Sequence, residues 1–131
     1  PHIYGHSSLK DVEKLCRKAA EAHGFAVEFH QSNHEGVLVD WIQEAGTKKA
    51  AGIVFNPGGL THTSVSCHDA IKGISPVPVI ECHISNIHAR EPWRNHSYIS
   101  FAAKAVICGF GIDGYALAID GIAALTKKSK R

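Results

Sequence analysis

The sequence lacks most of the features that would place it outside the soluble enzymes and binding domains. No apolar run approaches the roughly 18 residues of a membrane-spanning helix, so no membrane association is expected. The N-terminus has no charged start followed by an apolar stretch, and no secretory signal is visible. CxxC is absent, which argues against a zinc ribbon and a thioredoxin-type redox pair. HExxH and GxSxG are absent too, so neither a zincin helix nor a nucleophile elbow is indicated. Basic residues do not cluster within the body of the chain. Lys127, Lys128, Lys130 and Arg131 account for four of the 14, and without them the body holds 10 basic against 12 acidic residues. The formal charge of +2 therefore marks a solvated tail rather than a nucleic-acid surface, and no nucleic-acid partner is expected.

What remains is a globular composition of 131 residues, 44% hydrophobic and 20% charged, the size of one domain. Ten His is a high count for this length. The four cysteines, Cys16, Cys67, Cys82 and Cys108, lie in apolar runs or helical patterns and read as buried thiols of a reduced, cytoplasmic protein.

Helical and strand patterns alternate along the chain. Ser8 can cap a helix with apolar positions Val12, Leu15, Cys16, Ala19 and Ala20, ended by Gly24. Phe25–His30 alternates as a half-exposed edge strand would. A second helix aligns Val37, Trp41 and Ala45, as well as Leu38 and Ile42, with Gly46 as its stop. Gly52–Phe55 has the continuous apolar character of a strand covered on both faces, and Asn56–Gly59 reads as a turn. A helix starting near Thr61 or Thr63 and running to about Lys72 precedes a strand over Val77–His83, with Pro78 near its start. A polar loop occupies 84–97, Ala105–Gly109 reads as a last buried strand, and a closing helix is expected from Ile112 to about Leu125. Strands separated by helices imply a parallel sheet with helices on both faces, and ligands in such sheets bind beyond the carboxyl ends of the strands.

Polar residues gather at those ends: Asn56, Thr61, His62, Glu81, His83, Ser85, Asn86, His88, Arg90 and Arg94. Metal binding finds little support in their spacing. His62 and His68, six apart, do not share a helix face, and His83 and His88 have no ligand partner at i+4. A nucleophilic dyad is equally poorly served, since Cys82 and His83 are strand neighbours and point to opposite faces. Acid–base chemistry fits better. Glu81 and His83 are two apart in a strand and share a face, so the carboxylate can fix the imidazole tautomer and make His83 a general acid. Arg90 and Arg94 suit a carboxylate or phosphate, and Asn56 and Ser85 suit hydroxyls. A carboxylated polyol substrate matches this set.

Five segments carry a resemblance: Ile3-Tyr4-Gly5, Phe29–Gly36 (FHQSNHEG), Asn56–Ser64 (NPGGLTHTS), Ile80–Glu91 (IECHISNIHARE) and His96-Ser97-Tyr98. Together they resemble type II 3-dehydroquinate dehydratase over residues 1 to about 120, and the terminal CGFG and GY segments look most like fungal members. The resemblance implies a flavodoxin-like three-layer αβα fold with a five-stranded parallel sheet. The catalytic domain would span residues 1–125, followed by a basic tail at 126–131. It further implies trimers packed into a dodecamer and cofactor-free anti dehydration of 3-dehydroquinate through an enolate, without a metal.

In that reading Tyr4 aligns with the base, His83 with the acid, Glu81 with the acid's supporting carboxylate and Asn56 with the residue holding a water at the enolate oxygen. His62, Asp69, Ile84, Ser85 and Arg94 align with substrate-binding positions, Ile84 and Ser85 through backbone amide or hydroxyl. Asp69 would reach a neighbouring subunit's site. Arg90 and Gly58 are supporting residues. The main rival is a non-catalytic flavodoxin-like binding module or degenerate relative, and a His-rich metal hydrolase is the third reading.

One departure concerns the sheet. Members of this family begin with a strand and a lid Arg that activates the tyrosine, whereas this chain begins inside the lid. In the order 2-1-3-4-5 that strand is central, and its loss would leave a gap of roughly 9.6 Å between its neighbours. The sequence as it stands is therefore expected to lack its true N-terminus and not to fold alone or turn over. His68 and Cys82 are smaller departures, standing where an Arg and an aliphatic residue are usual.

Overall fold

The structure, a computed structural model, describes residues 8–58, 64–84, 99–100 and 102–129. Helix α1 (Leu9–Glu21) starts as its sequence requires. Ser8 Oγ accepts the Asp11 N–H at 3.3 Å, and Asp11 Oδ2 accepts the Ser8 N–H at 3.0 Å, which closes a reciprocal capping box. Val12, Cys16 and Ala20 form its buried stripe. Gly24 adopts φ +76°, the left-handed position just past the helix that favours glycine.

The following segment, Phe25–His30, departs from its expected role. Its residues alternate half-buried and exposed as a strand would, and Phe25, Val27 and Phe29 pack with α1. Yet no described residue pairs with it in a ladder. In the 2-1-3-4-5 order its only neighbour is the first strand, and no described residue fills that place. The Val27 carbonyl is instead served by the Arg17 guanidinium at 3.2 Å. Alternation here records packing on helices, not sheet hydrogen bonding.

Helix α2 (Glu35–Thr47) turns its Leu38–Ile42 side inward, with Ile42 buried, while Val37 faces solvent and Trp41 stacks on the His30 ring. Gly46 does not stop this helix. The chain breaks out at Lys49, which takes the left-handed conformation itself at φ 56°. Gly46 serves packing instead, because a Cβ there would collide with the branched side chain of Ile74.

Strand β1 (Ile53–Phe55), helix α3 (Val65–Gly73), strand β2 (Val79–His83), strand β3 (Ala105–Cys108) and helix α4 (Asp113–Ser129) complete the described elements. The three strands pair in the order β1-β2-β3, all parallel. Helix α3 begins at Ser64, later than the threonines expected, because the buried Ser64 hydroxyl caps it by accepting the Cys67 N–H at 3.0 Å. Gly52 lies outside the ladder, which opens when Ile53 N–H donates to the Pro78 carbonyl. Strand β3 is less covered than its apolar sequence suggests. Ala105 and Val106 are exposed because β3 is the edge of the described sheet, paired only with β2. Helix α4 runs past the expected end at Leu125 to Ser129.

Two cores follow from the pleat. Ile53, Phe55 and Val79 face α2 and α3, where they join Ile42, Cys67, Ala70, Ile71 and Ile99. Val54 and Ile80 face the other way and pack with α1 and α4, against Ala118, Ile119 and Ile122. Each fully buried Ile or Val contributes about 1.5–3 kcal/mol of transfer free energy. Strand β2, buried at every residue, is the shared wall of the two cores and therefore the most immobile place for a functional group.

Candidate active site

The register decides which side chains meet. Glu81 and His83 share the β2 face that carries Val79, and Phe55 lies opposite Glu81 on β1. Asn56 thus emerges at the carboxyl end of β1 beside the end of β2. Glu81 is fully buried and His83 is 5% exposed. A buried carboxylate is costly unless both oxygens are served. Here Oε2 bonds His83 Nε2, and Oε1 accepts from Ser100 Oγ at 2.8 Å. The bond to Glu81 occupies Nε2, which leaves Nδ1 as the nitrogen that can serve a ligand.

The backbone beyond β2 is also tied down. The His83 carbonyl accepts from Gly109 N–H at 3.3 Å and the Ile84 carbonyl from Gly111 N–H at 2.9 Å. Gly111 needs its φ of +60° to make that turn. The Ile84 carbonyl is thus directed at the Gly111 N–H.

Asn56 is fixed at both ends of its amide. Oδ1 accepts the Gly58 N–H at 3.1 Å, and Nδ2 donates to the Tyr115 hydroxyl at 2.9 Å. Gly58 takes φ +58°, a conformation an L side chain would strain. These contacts set which end of the amide is the donor toward the strand ends.

Asp69 stands apart from this group. It lies on the outer face of α3, its side chain 72% exposed, and its Oδ1 sits 3.0 Å from His68 Nδ1. Tyr4, His62, Ser85, Arg90 and Arg94 lie outside the described residues, as do His88 and His96. Among the described residues no group of three or more His, Cys, Asp or Glu side chains is arranged to hold a metal ion.

The opposite face of the same strand is chemically quiet. Cys82 is fully buried, and burial, reinforced by nearby Cys16 and Cys108, pushes its thiol up to about 12. Burial also raises Cys16 and Cys67. None of the four cysteines is in a disulfide, and burial holds the thiols of Cys16, Cys67 and Cys82 further from ionisation than an ordinary cysteine.

Two residues of the site were not singled out from sequence. Tyr115 sits 59 positions from Asn56 and Ser100 sits 19 from Glu81. Neither lies in a motif whose spacing points to its partner; only the folded sheet and the packing of α4 bring them in.

The dehydroquinase class II family model matches residues 1–123. The 3-dehydroquinate dehydratase of Acidovorax sp. (strain JS42) is 59% identical over 127 residues, covering 94% of this chain and 85% of that protein. The enzyme of that name from Rhodopseudomonas palustris (strain BisA53) is 56% identical over 124 residues, covering 95% and 82%. Among solved structures, the type II dehydroquinase of Propionibacterium acnes superimposes with a TM-score of 0.88 at 34% identity, over 95% of this chain and 84% of that one. The type II dehydroquinase of Butyrivibrio crossotus does so with the same TM-score at 38% identity, over 92% and 83%. The buried Glu–His pair, the parallel sheet that carries it and these matches agree: the chain belongs to the dehydroquinase class II family, with its flavodoxin-like α/β fold.

Proposed function

We propose that the protein is a lyase that removes water from 3-dehydroquinate by cofactor-free anti elimination, giving 3-dehydroshikimate, a step shared by the shikimate pathway and quinate breakdown. The observation that carries this reading is the buried Glu81–His83 pair at the carboxyl end of β2, in a chain of this family. Tyr4 is the base: it takes the C2 proton, and the C–H electron pair moves into an enolate. Free tyrosine titrates near 10, so a neighbouring cation must stabilise the phenolate. Asn56, held by Tyr115 and Gly58, keeps a second amide hydrogen with which to hold a water at the enolate oxygen.

The enolate then collapses, C1–O breaks, and His83 delivers a proton from Nδ1 so that water leaves. Glu81 holds the imidazole while this happens. His62, Ser85, Arg94 and the Ile84 amide bind the substrate, the Arg94 guanidinium pairing with the substrate's carboxylate, with Arg90 and Gly58 in support. The catalytic domain spans 1–125 and the basic tail 126–131. A homo-oligomer of trimers packed into a dodecamer is supported by two exposed side chains, Asp69 on α3 and the aromatic Phe110, 62% exposed. Four cysteines outside any disulfide support a cytoplasmic setting.

The test is enone absorbance after adding 3-dehydroquinate to the full-length protein, with and without EDTA. A rise unaffected by EDTA and by borohydride supports the reading. No rise overturns it in favour of a non-catalytic module, and a rise abolished by EDTA overturns it in favour of a metal enzyme.

A further inference from the structure

We infer that Ser100 is a positioning residue for His83, acting through Glu81; the inference rests on the acid–base reading of that pair. Glu81 must present one carboxylate oxygen to His83 Nε2 along a fixed direction, although its side chain has three rotatable bonds. A single contact to the imidazole does not define the carboxylate plane. The second contact does: Ser100 Oγ donates to Oε1 at 2.8 Å while Oε2 meets the imidazole. With both oxygens engaged, rotation about the last torsion would break two charge-assisted hydrogen bonds at once.

Ser100 is itself held by a built support. Its neighbour Ile99 is fully buried in the core between the sheet and α2–α3. The Ile99 carbonyl accepts from Ala102 N–H at 3.0 Å and from Ala103 N–H at 2.9 Å. One residue later, Lys104 N–H donates to the Val79 carbonyl at 2.8 Å, where β3 enters register with β2. The turn that carries the hydroxyl is thus anchored to the same strand that carries Glu81 and His83.

The experiment compares the full-length protein with Ser100→Ala and Ser100→Thr. Two readouts are taken: kcat and KM on 3-dehydroquinate, and the imidazole 15N resonances of His83 in protein labelled at histidine. In Ser100→Ala, kcat is expected to fall about tenfold, the worth of roughly 1.4 kcal/mol of lost positioning, with KM within twofold. The His83 15N resonances are expected to move. Ser100→Thr keeps the hydroxyl and is expected to restore kcat to within threefold and the resonances to their original places. A Ser100→Ala enzyme with unchanged kcat and unmoved His83 resonances overturns the inference. So does a loss confined to KM, or one that Ser100→Thr shares in full. If the unaltered protein does not dehydrate 3-dehydroquinate, the proposed function falls, while the His83 resonances still decide whether Ser100 holds the pair.

Discussion

Replacing Glu81 with glutamine separates the chemical task of this carboxylate from its structural one. Glu81 is fully buried and makes two described contacts, to His83 and to Ser100. Glutamine has the same shape. Its amide oxygen can accept from His83 Nε2–H, and its NH2 can donate to the Ser100 hydroxyl, which rotates to receive it. Both contacts survive as neutral hydrogen bonds, and their weakening is offset because no charge has to be buried on folding, so stability should change by only about 1 kcal/mol. The charge, however, is gone. A hydrogen bond to an ionised group is worth roughly twice a neutral one, about 1–1.5 kcal/mol more for each contact. Two contacts give about 2–3 kcal/mol, a loss of roughly 10² in kcat at 1.36 kcal/mol per decade, if the whole difference falls on the proton-transfer step.

Glu81→Ala should behave differently. It strands the buried His83 Nε2 at about 1–3 kcal/mol, leaves the half-buried Ser100 hydroxyl without this acceptor and opens a cavity beside them, so stability falls along with rate. His83→Ala sets the floor, with the 10²–10⁴ loss expected for a removed general acid. The assay is initial rate by enone absorbance, with thermal denaturation of each variant in parallel. A Glu81→Gln enzyme with the kcat of the unaltered protein would refute the reasoning, as would equal losses of stability in the Gln and Ala variants.

Further expectations follow from other parts of the molecule. Tyr4→Phe should abolish most turnover while leaving the denaturation midpoint unchanged; retained activity in the same assay would place the base elsewhere. Tyr115→Phe removes the acceptor of the Asn56 amide, and kcat should drop by roughly tenfold for the loss of about one hydrogen bond. Gly52→Ala would set a Cβ 2.8–2.9 Å from three Ile122 side-chain carbons, and chemical denaturation should show a loss of about 1–3 kcal/mol. Cys82 gives a pH signature. Its thiol is held at about 12 against an ordinary 9.0, so its contribution is intact below pH 9. As pH rises from 9 toward 12 the unfolded chain ionises first, and stability should fall by up to about 1.4 kcal/mol per pH unit from this group. Cys82→Ala should flatten that part of the stability profile, and an unchanged slope would show that the burial does not govern the titration.

Local pattern was most informative where one physical rule acts alone. The Ser8 cap, the Val12–Cys16–Ala20 stripe and the apolar runs of β1 and β2 follow from nearest-neighbour hydrogen bonding and side-chain period. Two-residue spacing likewise puts Glu81 and His83 on one strand face. Legibility failed where a residue answers to something distant. Gly46 reads as a helix stop because glycine often is one, but its place is set by Ile74, 28 positions away. Phe25–His30 reads as a strand because alternation is the strand's signature, yet a strand also needs a partner backbone. Ala105–Cys108 reads as covered because its residues are apolar, although coverage depends on what lies beyond the edge.

By itself, then, the sequence determined the parallel αβα class, the family, and the placing of Glu81 and His83 on one strand face. Those depend on periodicity, spacing and ordered motifs, which are properties of the chain read in line. Only the tertiary structure decided that Glu81 is held from two sides and that the Asn56 amide is set by a tyrosine from the last helix. It also decided that Asp69 lies exposed on α3, apart from the Glu81–His83 pair. Hydrogen bonds between residues 19 and 59 positions apart leave no mark on local composition, because the side chains that make them are chosen by sheet register and helix packing.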